Sequence, residues 1–226
     1  MTATTVRIPA SRRRGRWLAP AGLVVLSIIP ILGGAHRVAE LGGNAAITAS
    51  NARFFDSPVP VVTHIVSVTI FSLVGAFQLV PALRARRRGW HRLAGRVLIP
   101  AGVLTALSGM WMAALYPHPV GDGPALTLLR LLFGAAMLVA VALGIRAIVQ
   151  RRFAVHGEWM TRAYAIAMGA GTQAIVLIPG AIIYGPRDEL SRTVLMGAAW
   201  VINIAVAEYV IRRRQGHQKR VIRELP

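Results

Sequence analysis

The chain has 226 residues, of which 55% are hydrophobic and 15% are charged, and its mean hydropathy is +0.56. So much apolar surface cannot be buried inside one soluble core of this size. The net charge of +18 suits a nucleic-acid binder at first sight, but its distribution along the chain argues against DNA or RNA as a partner. The absence of cysteine excludes disulfides, thiolate zinc sites, iron–sulfur clusters and covalently attached c-type haem.

Six apolar segments are long enough to cross a hydrocarbon core of roughly 30 Å. In chain order, the predicted spans are residues 17–35, 59–83, 93–116, 124–149, 163–184 and 193–211. The fold class is therefore an all-α polytopic membrane helix bundle, with residues 1–226 forming one integral membrane domain. The first connection, residues 36–58, has the composition of a loop, and we expect a short surface helix over residues 45–55.

The basic residues predict the orientation of the bundle. They cluster before span one and after spans two, four and six: Arg12, Arg13, Arg14 and Arg16; Arg84, Arg86, Arg87 and Arg88; Arg151 and Arg152; Arg212, Arg213, Arg214, Lys219, Arg220 and Arg223. The alternate connections carry acids instead: Glu40, Asp56, Asp122, Asp188 and Glu189. Basic connections mark the cytoplasmic side, which predicts a multi-pass plasma-membrane protein with both termini inside. The clusters would face an anionic inner leaflet, with about 1 kcal/mol of attraction per basic residue.

Two ionisable residues fall within the predicted spans, on the outer side. His64 lies in span two and Arg130 in span four. An ionisable residue inside a membrane is a candidate functional residue, because leaving it in lipid costs a few kcal/mol. The alternative for Arg130 is that it snorkels outward and pairs with Asp56 or Asp122. The alternative for His64 is a neutral histidine bonded to a neighbouring carbonyl or hydroxyl.

A second polar layer is predicted at the inner side. It comprises Gln78, His91, Arg96, His156, Glu158, Arg162 and Glu208. Glu158 and Arg162 are four residues apart and are expected to form a pair within one helix, which leaves Glu208 as the expected partner of Arg96. The alternative is that these residues only decorate the membrane interface, where basic residues are common in any case.

The histidines suggest a ligand. Neutral imidazole binds haem iron and transition metals, and helix bundles build such sites from facing helices. His91 and His156 are the candidate metal ligands of a b-type haem at the inner side, and Arg96 and Arg162 suit its propionates. His64 and His118 could form a second pair at the outer side. However, His91 and His156 precede their predicted spans, so we expect them at headgroup depth.

The segment from His64 to Arg162 resembles a family of bacterial membrane proteins called domain of unknown function 2306. The positions that carry the resemblance are His64, Gln78, Pro81, His91, Arg92, Gly95, Arg96, His156, Trp159, Met160 and Arg162. The resemblance spans about residues 60–180. It departs at Thr172, Gln173 and Ala174, where the family pattern has a Thr-Leu-Arg-like triplet. The histidine spacing is also loosely similar to that of transmembrane di-haem cytochromes b, an analogy at fold level.

Three functions remain open. The leading one is a membrane protein that binds haem or another redox ligand between helices and transfers electrons to an unidentified redox partner. The second is a small transporter or sensor that binds an anionic solute or lipid headgroup at the inner Arg/His layer. The third is a structural subunit of a membrane complex. Hydrolysis is disfavoured because acids are scarce in the spans and no serine, histidine and acid set converges.

Overall fold

The computed structural model describes residues 10–184 and 188–223, which form nine helices and no strand. They are α1 (Ala10–Gly42), α2 (Ala52–Asp56), α3 (Pro58–Gln78), α4 (Pro81–Arg86), α5 (Arg88–Leu115), α6 (Pro124–Val149), α7 (Phe153–Ala167), α8 (Gly169–Tyr184) and α9 (Glu189–Arg223). Several side chains of the basic clusters lie outside this description: Arg12, Arg13, Arg14, Arg16, Arg84, Lys219 and Arg223.

Six helical stretches among these residues are long and apolar enough to cross a membrane. They are Trp17–Gly42, Pro58–Gln78, Arg88–Leu115, Pro124–Val149, Phe153–Ile183 and Glu189–His217. The predicted all-helical fold with six membrane-spanning helices is confirmed. The predicted surface helix is shorter than expected, because regular helix is confined to Ala52–Asp56.

The third and fifth spans begin five and ten residues earlier than the sequence predicted. The third starts at Arg88 and the fifth at Phe153, so His91 and His156 lie inside helices. The expectation that they precede their spans was wrong. The physical reason is that hydropathy ends a span at its first charged residues, whereas long arginine side chains let the helix continue while their charges reach water.

A tight turn joins α6 to α7. Arg151 has a positive φ of 59°, the Arg151 amide donates to the Ile148 carbonyl, and the Arg152 amide donates to the Ala147 carbonyl at 2.8 Å. This is a Schellman motif, which satisfies the last carbonyls of a helix and reverses the chain. The turn places the first residues of α7 directly against the last turns of α6.

The helices pack as a closed ring. Following the contacts around it, α1 packs against α3, α3 against α5, α5 against α6, α6 against α7, α7 against α9, α9 against α8, and α8 against α1. The fifth span is broken between α7 and α8, near Met168. Glycines allow close packing there: a Cβ on Gly169 would lie 2.4 Å from Trp200 Nε1, and one on Gly171 would lie 2.4 Å from the Leu26 carbonyl oxygen.

The break moves the fifth span across the bundle. Its first half, α7, packs mainly on α6 and α9, while its second half, α8, packs on α9 and α1. Since α8 does not continue along α6 as α7 does, fewer side chains pack beside α6 at the end of the bundle that contains α8. This displacement creates one of the two cavities described next.

Candidate functional site

Two cavities lie near opposite ends of the bundle. We call the end that carries the arginine-rich connections at Arg86–88, Arg151–152 and Arg212–214 the inner end, and the opposite end the outer end, following the predicted orientation. The inner cavity has a volume of about 470 Å³ and the outer cavity about 360 Å³. Both volumes fall in the range of small-molecule sites, which is roughly 300–1,000 Å³.

The inner cavity collects most of the polar residues that the sequence singled out at that end. Its polar lining residues are Gln78 from α3, His91, Arg92 and Arg96 from α5, His156 and Thr161 from α7, and Arg214 from α9. The two histidines predicted to face each other therefore line the same cavity. The spacing explains why these residues of α5 line one cavity. His91 and Gly95 are four residues apart and share a helix face, as do Arg92 and Arg96.

His156 is held in a defined orientation. Its Nδ1 lies 2.9 Å from the carbonyl oxygen of Gly144, which can only accept a hydrogen bond, so Nδ1 carries the proton. In the neutral ring, the lone pair is then on Nε2. The α6–α7 turn makes this contact possible, because it brings His156 alongside Gly144. A backbone carbonyl that fixes one ring nitrogen is the usual support for a histidine whose other nitrogen binds a metal.

The electrostatics of the inner cavity favour an anion. Arg92, Arg96 and Arg214 line it, and no aspartate or glutamate does so within the described part of the chain. Gln78 adds a further polar group. Its Oε1 is buried and has no hydrogen-bond partner among the described residues.

The ion pairs predicted at the inner end were wrong. Glu208 binds Arg162, with Arg162 Nε 2.5 Å from Oε1 and Nη2 3.1 Å from Oε2. It does not bind Arg96, because the packing of α9 on α7 brings Glu208 against Arg162. Glu158 does not pair with Arg162 either. It accepts a hydrogen bond from Gln215 Nε2 at 2.7 Å.

The family pattern in α7 is thus divided between two helix faces. His156 and Met160, four residues apart, line the inner cavity. Arg162 binds Glu208 of α9, and its guanidinium lies 4.6 Å from the centroid of the Trp159 ring, a cation–π distance. Arg162, predicted to bind a cofactor, therefore joins two helices and does not line the cavity.

The outer cavity contains the intramembrane histidine. His64 Nδ1 lies 3.0 Å from the Thr105 carbonyl oxygen and 3.1 Å from Ser108 Oγ. Thr105 Oγ1 in turn donates to Ser67 Oγ at 3.0 Å. Because the carbonyl can only accept, Nδ1 is the protonated nitrogen and Nε2 keeps its lone pair. The expected alternative for His64, a bond to a neighbouring carbonyl or hydroxyl, is confirmed by these contacts of Nδ1.

An ion-pair cluster lines part of the outer cavity. Asp122, whose side chain is 2% exposed, binds Arg130 Nη1 at 2.7 Å and Arg192 Nε at 2.5 Å. The expected pairing of Arg130 with Asp122 is confirmed, and Asp56 takes no part in it. His118 also lines this cavity, but its Nε2 lies 3.1 Å from Thr127 Oγ1, so this nitrogen is already engaged.

Two aromatic rings on the inner side of the core separate the cavities. Tyr164 and Phe71 have ring centroids 6.0 Å apart. Each ring rests on a glycine: a Cβ on Gly75 would lie 2.5 Å from Tyr164 Cε2, and one on Gly102 would lie 2.7 Å from Phe71 Cε2. The Tyr164 hydroxyl donates to the Ser72 carbonyl at 2.8 Å. These rings form a fixed septum, which the sequence analysis missed because nothing in the order of residues pairs Tyr164 with Gly75.

Six helices that are long and apolar enough to cross a membrane define a polytopic membrane protein. The family model described as "Predicted membrane protein (DUF2306)" matches residues 61–211, and the chain belongs to this family. The match covers α3 to most of α9 and confirms the resemblance seen in the sequence. No curated protein and no solved structure matches the chain, so the looser similarity to di-haem cytochromes b stays an expectation.

Proposed function

We propose that the inner cavity binds an amphiphilic anion, and that haem b is the ligand its histidines favour. The observation that carries this proposal is the lining: three arginines, two histidines and no described carboxylate around about 470 Å³. Guanidinium groups bind carboxylates and phosphates with charge-assisted hydrogen bonds. The remaining walls are apolar, as in most ligand sites.

The histidines favour haem over other amphiphilic anions. His156 offers Nε2 while Nδ1 is fixed on the Gly144 carbonyl, and His91 lines the same cavity from α5. Ligands on two helices match the requirements of a b-type haem. Arg92 and Arg96 would hold the propionates. Bound haem supplies a one-electron redox couple, and the chain would then transfer electrons within the membrane.

The test is haem binding by the purified protein in detergent. We expect the protein, as isolated or after titration with hemin, to show a Soret band that shifts on reduction with dithionite. The His91→Ala and His156→Ala variants should each lose the band or convert it to a spectrum with one protein ligand. His36→Ala is the matched control, because His36 has a 75% exposed side chain and contacts Glu40, away from the inner cavity.

Two results would contradict parts of the proposal. If the wild type takes up no haem, or if both cavity variants bind it as the wild type does, haem is not the ligand. Thermal stabilisation by anionic phospholipid or by an anionic solute, lost in Arg92→Gln and Arg96→Gln, would then support the broader anion site. If no anion stabilises the wild type in an arginine-dependent way, the proposal fails as a whole.

A further inference from the structure

Methionines gather around the outer cavity. Four of the chain's seven line it: Met110 and Met112 from α5, Met137 from α6 and Met196 from α9. They reach the cavity from three helices, so no single helix stripe explains the cluster. Met137 is 2% exposed and Met196 is 8% exposed, which places both inside the bundle and away from lipid.

His64 adds a nitrogen donor from a fourth helix. It lines the same cavity, its Nδ1 is held by the Thr105 carbonyl, and Nε2 has no hydrogen-bond partner among the described residues. A packing role explains the methionines alone, since methionine fills irregular gaps in cores. It does not explain why a histidine within a membrane-crossing helix lines the same cavity. Such a residue is a candidate functional group.

The donors select the class of ligand. Thioether sulfur is soft and uncharged, and with imidazole it suits Cu(I) among the biological metals. Hard cations such as Ca²⁺ and Mg²⁺ require several oxygen ligands. The cavity offers Asp122 as a carboxylate, and this group is already engaged by Arg130 and Arg192. The same carboxylate offsets part of the positive charge of the arginines that line the cavity.

We propose that the outer cavity binds one Cu(I) ion through Nε2 of His64 and the thioether sulfurs of the surrounding methionines. A monovalent ion is the least costly metal cation to bring among neutral donors, since the cost of removing an ion from water rises steeply with its charge. The site is separate from the inner cavity, because the Tyr164–Phe71 septum lies between them. The proposal is independent of haem.

The test is a Cu(I) titration of the full-length protein in detergent, under ascorbate and without oxygen, in competition with the chelator bicinchoninate. We expect one Cu(I) per chain and a rise in melting temperature on binding. His64→Ala should weaken binding at least about tenfold. Met137→Leu combined with Met196→Leu should weaken it similarly while conserving side-chain volume. Met160→Leu, in the inner cavity, is the matched control and should bind as the wild type does.

The outcomes separate a built site from adventitious copper. Copper that binds equally to the wild type and to both cavity variants would overturn the proposal, as would failure of the wild type to compete with bicinchoninate. If His64→Ala does not fold, the methionine double variant decides the question alone. Equal losses in that variant and in Met160→Leu would also count against the site, because the effect would then not depend on the cavity.

Discussion

Removing the Arg162–Glu208 pair should destabilise the bundle by separating α7 from α9. The pair is bidentate, and hydrogen bonds to charged groups contribute about 1.5–3 kcal/mol each. The two side chains are 24% and 31% exposed, which reduces this sum. Fully exposed pairs contribute up to about 1 kcal/mol, and breaking a buried pair costs about 3–5 kcal/mol. We therefore expect a coupling free energy of about 2 kcal/mol between these residues.

The assay is a double-mutant cycle on Arg162→Ala and Glu208→Ala. The free energy of unfolding is measured by tryptophan fluorescence in mixtures of a mild detergent and SDS. Glu158→Ala is the control, because the hydrogen bond of Glu158 with Gln215 lies at an exposed position, and it should change stability by less than about 0.5 kcal/mol. A coupling below about 0.5 kcal/mol would refute the claim that this pair joins the helices.

Two further predictions concern packing and pH. Gly75→Ala should destabilise the protein by about 1–3 kcal/mol in the same assay, because the new Cβ would lie 2.5 Å from the ring of Tyr164. Gly33→Ala is the control: its Cβ would meet nothing within 4 Å, so this substitution should be neutral or stabilising. Tyr116 lies outside the spans, and burial raises the pKa of its hydroxyl, so the native state loses stability as the pH rises above about 10 and through this raised pKa. Tyr116→Phe should lessen that alkaline loss in melting curves recorded between pH 8 and 11; an unchanged alkaline slope would contradict it.

The sequence predicted the helices better than their ends. Hydropathy alone located all six spans, because apolar length is what a bilayer requires. It placed the start of the fifth span at residue 163, whereas the helix begins at Phe153. Hydropathy treats His156, Glu158 and Arg162 as the end of a membrane segment, but each finds a partner on a neighbouring element that supports the helix there.

The sequence located some of the residues that line the inner cavity, such as His91, Arg96 and His156, but not Arg214, and it placed Arg162 there wrongly. The position of the polar residues beside the inner ends of the predicted spans located the inner layer. Partner choice depends on the order of helices around the ring, which short connections do not specify. Glu208 was therefore predicted to pair with Arg96, whereas in the structure it pairs with Arg162. The methionine cluster had no sequence signal, because its members come from three separate helices.

The break in the fifth span helps to explain why the inner and outer cavities lie at different ends of the bundle. Gly169 and Gly171 let the chain approach Trp200 and Leu26 closely, so α8 can move toward α1 while α7 stays against α6. In the first half, α7, the ring of His156 is hydrogen-bonded to the Gly144 carbonyl. The second half, α8, is displaced toward α1, and the outer cavity lies beside His64. The septum lies where the two halves diverge. A substitution at the break should thus perturb the outer cavity more than the inner one, since the inner geometry depends on the α6–α7 turn.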